Sequence, residues 1–246
     1  MDIKSLNGDK ILEHEGNILT MKILCIADIH GDREAAKKAR LYAEANGIDT
    51  LLILGDFPGY GVFHNIEQSI KEVEETLNIF NGLHVLAIPG NCDPQKTPEI
   101  FEKRGVNLHE KIRALEGVKV IGFGGSNVTP FETPFEMEED EIYSRLEALL
   151  RLVSDGNVII AVHCPPKDTR CDQIGGGLHA GSSSIRKVVE EFKPGLVVCS
   201  HIHEAGGASD RIGPTGVANI GRLSNGSIGV IDIGKEVSLT LLNIGK

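Results

Sequence analysis

Basic charge is scarce in this chain. Lys and Arg number 25 against 35 Asp and Glu, a formal net charge of -10 over 246 residues. A protein held mainly to nucleic-acid phosphates needs a broad basic surface, so that class is disfavoured, although local capture of an anion through metal is not. No apolar run approaches the roughly 20 residues of a membrane span. The five cysteines (Cys25, Cys92, Cys164, Cys171, Cys199) are odd in number and form no C-x-x-C pair, which argues against a disulfide framework and a zinc ribbon. The N-terminal MDIKSLNGDKILEHEG has acidic residues where a signal peptide needs a basic end and an apolar block. A reducing, cytoplasmic setting is therefore expected, and the glycosylation patterns at Asn127 and Asn225 carry no weight. Internal repeats and low-complexity linkers are missing too. Gly122-Phe123-Gly124-Gly125 does not extend to G-x-G-x-x-G, so a dinucleotide fingerprint is rejected.

What is present is an ordinary globular mixture, 41% hydrophobic and 24% charged, long enough to bury a real core. Residues 1–20 read as an extension, with Asn7-Gly8-Asp9 as the turn of an added hairpin. From Met21 the pattern alternates. Apolar runs over 22–27, 50–54, 83–88, 118–123, 157–162 and 196–199 predict strands. Residues 33–46, 65–80, 136–153 and 182–192 predict helices, the first with Ala36, Ala39, Tyr42 and Ala43 on one stripe. A strand-rich tail follows Val217. One α/β domain over 21–246 is expected, parallel in its first half and antiparallel in its tail.

Five of the strands end on polar groups of one kind: Asp28/His30, Asp56, Asn91, His163 and His201/His203. In open α/β sheets ligands bind beyond the carboxyl ends of strands, so these distant residues should meet in one crevice. Carboxylate, amide oxygen and imidazole together suit divalent transition metals, and Asp56 could give one carboxylate oxygen to each of two cations. Two such cations against two carboxylates would leave a net positive site that attracts phosphate.

DIHGD (28–32), GDFPG (55–59), GNCD (90–93), His163 and SHIH (200–203), in that order, resemble the calcineurin-like metallophosphoesterase superfamily. HCPPKDTRCD, GLHAGSSSIR and CSHIHEA are similar to a branch of predicted phosphoesterases named after a cyclic-nucleotide phosphodiesterase. The resemblance implies a four-layer α/β/β/α sandwich of two mixed sheets flanked by helices. It implies that Asp28, His30, Asp56 and His203 hold a first metal, and Asp56, Asn91, His163 and His201 a second. Asp56, Asn91, Cys92 and His163 then stand at the catalytic centre, where a metal-bridged hydroxide would attack phosphorus in line. Manganese is the first expectation for the metals, with iron, nickel, cobalt or zinc compatible with imidazole-rich ligation.

Two positions depart from the family pattern. Cys92 stands where GNHD or GNHE supplies a histidine near the leaving group, and Ser200 stands where glycine is common before H-x-H. A thiol is a poor general acid near neutral pH, so a phosphodiester is expected in preference to a monoester. A catalytically weak scaffold for protein partners and a nuclease of the same superfamily are the alternatives. A small phosphate ester is the expected partner, with no membrane, no nucleic acid, and a homodimer left open.

Other residues have plainer readings. Cys25 and Cys199 read as small buried hydrophobes, and Cys164 as facing away from His163. His14, His84 and His109 read as surface or loop residues. His64 and His179, in Gly-rich loops, are candidates for substrate binding together with Asn91. Gly175–Gly177 with Ser182-Ser183-Ser184 could cradle a phosphate or simply cap a helix. Phe131 and Phe135 could form a lid or join the core.

Overall fold

The computed structural model describes residues 3–5, 20–153 and 157–245. Its first half runs β1 (Ile3–Ser5), β2 (Met21–Ile26), α1 (Arg33–Ala45), β3 (Thr50–Ile53), α2 (Ile66–Ile79), β4 (His84–Ala87) and α3 (Thr97–Arg104). Next come β5 (Lys111–Leu115), β6 (Val118–Phe123), β7 (Ser126–Asn127), β8 (Glu136–Met137), α4 (Glu139–Arg151) and β9 (Asn157–Val162). The chain continues through β10 (Gln173–Ile174), β11 (Leu178–His179), α5 (Ser183–Phe192), β12 (Leu196–Cys199), β13 (Ser209–Ile212), β14 (Thr215–Asn219), β15 (Ser227–Ile233) and β16 (Val237–Asn243).

Strands buried on both faces read as unbroken apolar runs, and their alternation decides which layer each side chain enters. In β2, Ile23 and Cys25 join the layer between the sheets, whereas Leu24 and Ile26 face the helices. The two six-stranded sheets are ordered β1-β16-β15-β2-β3-β4 and β13-β14-β12-β9-β6-β5. Leu52, Leu54, Leu86 and Ile88 of the first meet Val120, Ile159, Ala161 and Val198 of the second. Outside the first sheet, Ala36 and Ala39 of α1, Val73 and Leu77 of α2 and Phe101 of α3 complete one outer layer. Outside the second, Ile142 and Leu146 of α4 and Val188 and Val189 of α5 complete the other. The result is the expected α/β/β/α sandwich.

Its sheets are mixed. β2, β3 and β4 are parallel, with β15 antiparallel to β2 and β16 to β15. β6, β9, β12 and β14 are parallel, between antiparallel edge strands β5 and β13. The tail is therefore only partly antiparallel, because β14 lies parallel to β12. Among the elements that the sequence pattern did not predict, β5 and α3 have plain physical reasons. β5 is an edge strand with exposed Arg113 and Ala114 and half-buried Lys111 and Ile112, so it lacks an apolar run. α3 has only eight residues and buries only Thr97, Ile100 and Phe101. α4 starts at Glu139 rather than 136 because the Glu136 carboxylate is engaged by Thr129 and Thr133, and β8 pairs with β7. The Asn7-Gly8-Asp9 turn lies outside the described residues; Ile3–Ser5 pairs in parallel with β16. No helix among the described residues is long and apolar enough to cross a membrane.

Candidate metal centre and its cleft

The carboxyl ends of β2, β3, β4, β9 and β12 converge, and the loops after them bring the predicted residues together. Asp28, His30 and His203 place one ligand atom each within 4.8 Å of one another, as do Asp28, Asp56 and His163. Asp56 Oδ2 lies 3.6 Å from His30 Nε2 and 3.5 Å from His163 Nε2. His203 Nε2 lies 3.5 Å from Asp28 Oδ2 and 3.4 Å from His30 Nε2. Asn91 Oδ1 is 2.9 Å from His163 Nε2. The His163 and His201 rings are 5.1 Å apart between centroids.

The backbone is bent to achieve this. Asp28 (φ 49°), His30 (φ 45°), Asp56 (φ 58°) and His201 (φ 67°) all occupy the left-handed region. Each costs an L-residue on the order of 1–2 kcal/mol, strain that concentrates at functional sites. Compensation comes from a ladder that outlives the strands: Asp28 N–H donates to Gly55 O, His30 N–H to Asp56 O, and Gly31 N–H to Phe57 O. Buried Asp93 gathers the next loops by accepting from the N–H groups of Asp56 (2.8 Å), Phe57 (3.2 Å) and Gly90 (2.7 Å). Burial, then the Asp56 carboxylate, push Asp93 up to about 7 against those three donors. Gly90 is required by contact, since a Cβ there would stand 2.1 Å from Asp56 Oδ1.

The imidazoles are oriented from behind. His163 Nδ1 donates to Leu54 O at 2.6 Å, and His30 Nδ1 to Pro58 O at 3.3 Å, so Nε2 of each faces the centre. Asp56 Oδ1 accepts the Cys92 N–H at 2.8 Å, while Oδ2 faces the His30 and His163 imidazoles. Burial opposes charge on His163, but Asp56 and then Asp28 outweigh it and raise this imidazole to about 9. His201 is lowered to about 4 by burial and by His163.

A divalent cation fits these residues. Asp28 Oδ1 is buried without any hydrogen-bond partner, although its Oδ2 accepts from Ser200 Oγ and from the His201 N–H at 3.3 Å. An orphaned carboxylate oxygen is costly unless something cationic meets it. Cys92 also comes within ligand range of His30 and Asp56, but burial, then Asp56 and Asp93, push its thiol well up. It stands there as a neutral group.

Several supporting residues have roles that the sequence did not show. Ser200 has no left-handed strain and serves Asp28 instead. Tyr60 stacks on His30 at 3.9 Å between centroids, and its hydroxyl is 3.1 Å from His203 Nδ1. Thr133 Oγ1 accepts from Asn91 Nδ2 at 2.9 Å. Hydroxyls in Gly- and Pro-containing loops have too many ordinary roles to stand out; only proximity to the site in the fold identifies them.

Beyond the centre opens a cleft of about 610 Å³, lined by His30, Asp56, Asn91, Cys92, His201 and His203 at its floor. His64 and His179 are not among its lining residues. His64 is exposed with its ring 4.1 Å from that of Phe63, and His179 Nδ1 pairs with Asp172 Oδ1 at 2.7 Å. The start of α5 is not free for phosphate: Ser182 caps it, and Glu139 accepts the N–H groups of Ser183 (3.0 Å) and Ser184 (2.8 Å). Phe131 and Phe135 divide, Phe131 exposed on the cleft and Phe135 in the core. His109 is corrected from the surface to the interior, where its Nδ1 accepts the Gly124 N–H at 2.9 Å. Cys25, Cys164 and Cys199 are buried as expected, whereas His84 is exposed; His14 lies outside the described residues.

Residues 21–205 match the family model described as calcineurin-like phosphoesterase. An uncharacterized protein of Methanocaldococcus jannaschii is 33% identical over 204 residues, covering 81% of this chain and 87% of that protein. A dimetal phosphatase from Danio rerio shares the fold with a TM-score of 0.63 at 12% identity, over 91% of this chain and 98% of its own. A Thermus thermophilus structure gives 0.65 at 22% identity, over 91% and 99%.

Proposed function

This chain belongs to the calcineurin-like phosphoesterase family, and from that premise we propose that it hydrolyses phosphate esters, diesters before monoesters, with two divalent metal ions. Asp28, His30, Asp56 and His203 would hold one ion, and Asp56, Asn91, His163 and His201 the other. The observation that carries the reading is the Asp56 Oδ2 atom, 3.6 Å from His30 Nε2 and 3.5 Å from His163 Nε2, beside the unpartnered Asp28 Oδ1. Bound ions of this kind supply Lewis acidity for phosphoryl oxygens and lower the pKa of water.

The chain's own side chains do the rest. Asn91 and His201 line the cleft floor where a phosphoryl group would lie. Leu54 O and Pro58 O fix His163 and His30, so that the donors are set before substrate arrives. Cys92 keeps its proton and, being neutral, offers no cationic hydrogen bond to a departing oxygen. A poor leaving group should suffer most from that, which favours activated diesters.

Matched aryl phosphate mono- and diesters test the reading, with metal-stripped protein resupplied with Mn, Ni, Zn or Mg. Metal-dependent diester turnover that is lost in Asn91→Ala and raised in Cys92→His is expected. A monoester rate well above the diester rate would overturn the diester preference. Cys92 itself favours a second reading, a metal-holding binding protein, which full metal occupancy without turnover would support.

A further inference from the structure

We propose, resting on the phosphoesterase reading, that the ester group accepted by this cleft is a large apolar moiety carried on a single phosphate. Above the floor the walls are built from Tyr60, Phe63, Val128, Pro130, Phe131 and Ile174. Among the described residues no lysine or arginine lines the cleft, and apart from Asp56 the only carboxylate that does is Glu204. A polyphosphate or a nucleic-acid strand would bring further anions to lining residues that include one such carboxylate and no lysine or arginine, the guanidinium nearest Tyr60, that of Arg222, being engaged over the Tyr60 ring at 5.1 Å. An apolar group would instead cover surface that water now touches.

The exposure of these walls is the second observation. Phe131 is 73% exposed, Val128 55% and Tyr60 46%, and all three fall on this one cleft. Phe131 is also held in place. Glu136 accepts the N–H groups of Thr129 (3.2 Å) and Thr133 (2.9 Å), and the Phe131 N–H donates to Thr129 Oγ1 at 3.2 Å. Such a loop presents an aromatic ring at little ordering cost on binding. Tyr60, also on this cleft, is fixed by its stack on His30. The floor takes the phosphate and the walls take the ester group.

The test uses full-length protein loaded with Mn(II), and p-nitrophenyl phosphodiesters whose second ester is methyl, naphthyl or octyl. The leaving group is constant, so the kcat/KM ratios report the walls. Naphthyl or octyl should exceed methyl by about tenfold or more, and that ratio should fall toward one in the Val128→Ser/Phe131→Ala double variant. The naphthyl and octyl arms separate a flat aromatic group from an alkyl chain. Calorimetric binding of methyl-, naphthyl- and octylphosphonate is measured beside turnover. The same apolar preference in binding, without turnover of any ester, would uphold the cleft's selectivity and overturn hydrolysis. Equal kcat/KM or equal affinity across the series would overturn the inference and leave hydrolysis standing.

Discussion

Asn91 is aimed by Thr133. The amide Nδ2 donates to Thr133 Oγ1 at 2.9 Å, which turns Oδ1 to within 2.9 Å of His163 Nε2. Thr133 Oγ1 in turn donates to Glu136 Oε1, so its lone pairs are what it has left to offer Asn91. Removing the hydroxyl frees the amide to flip and present nitrogen to the centre.

Thr133→Val should therefore weaken metal binding about 10–100-fold, the usual cost of losing a group that orients a ligand. Thr133→Ser should restore most of it. Mn(II) titration of metal-stripped protein measures this without reference to turnover. Equal affinities in Thr133→Val and the parent would refute the aiming role.

Ser200 makes a separable contribution. Its hydroxyl donates to Asp28 Oδ2, a carboxylate buried across 172 residues of sequence. Ser200→Ala should destabilise the metal-free protein by about 1.5–3 kcal/mol, the range for hydrogen bonds to charged groups. Urea unfolding with EDTA present reads it. An unchanged midpoint would mean that Asp28 needs no help from this side.

Legibility followed residue type. Asp28, Asp56 and His163 could be found because each ends an apolar run, and a metal-grade side chain in that position has few bland explanations. The layers were equally plain, since Ile23 and Leu24 go to opposite faces of a doubly buried strand. Tyr60 and Thr133 could not be found, because tyrosine and threonine in loops satisfy many local needs; Ser200 was visible as a departure before H-x-H, but not as a donor to Asp28. His109 was misread for a related reason. A histidine beside Glu110 in a polar stretch resembles a surface residue until Phe123 and Phe135 are seen against it.

His109 has a consequence for acid stability. Burial holds its pKa down to about 4 in the folded protein, against about 6.5 when exposed. The unfolded chain takes up a proton below pH 6.5 that the folded chain refuses until about pH 4. Stability from this residue is complete above pH 6.5 and falls between 6.5 and 4, by on the order of 3 kcal/mol. His109→Gln keeps an acceptor for the Gly124 N–H and does not titrate. Its urea midpoint should drop less than the parent's between pH 7 and pH 4.5 under metal-free conditions. Parallel losses would contradict the assignment.

Glu139 tests the outer layer alone. It joins the first turn of α4 to the start of α5 through Ser182 Oγ (2.7 Å) and the N–H groups of Ser183 (3.0 Å) and Ser184 (2.8 Å). Glu139→Ala should cost about 1–3 kcal/mol in unfolding free energy. Metal stoichiometry should stay that of the parent. A loss of metal binding would tie this helix pair to the centre more closely than its distance in the fold suggests.

The most direct test of the central claim is a count of Mn(II) ions bound per chain, in the parent and in Asp56→Asn. A single oxygen, Asp56 Oδ2, faces imidazoles from both proposed ligand sets. The parent should retain two ions after gel filtration, and Asp56→Asn should lose at least one of them. A parent that holds none or only one, or a variant that still holds two, would contradict the dinuclear centre.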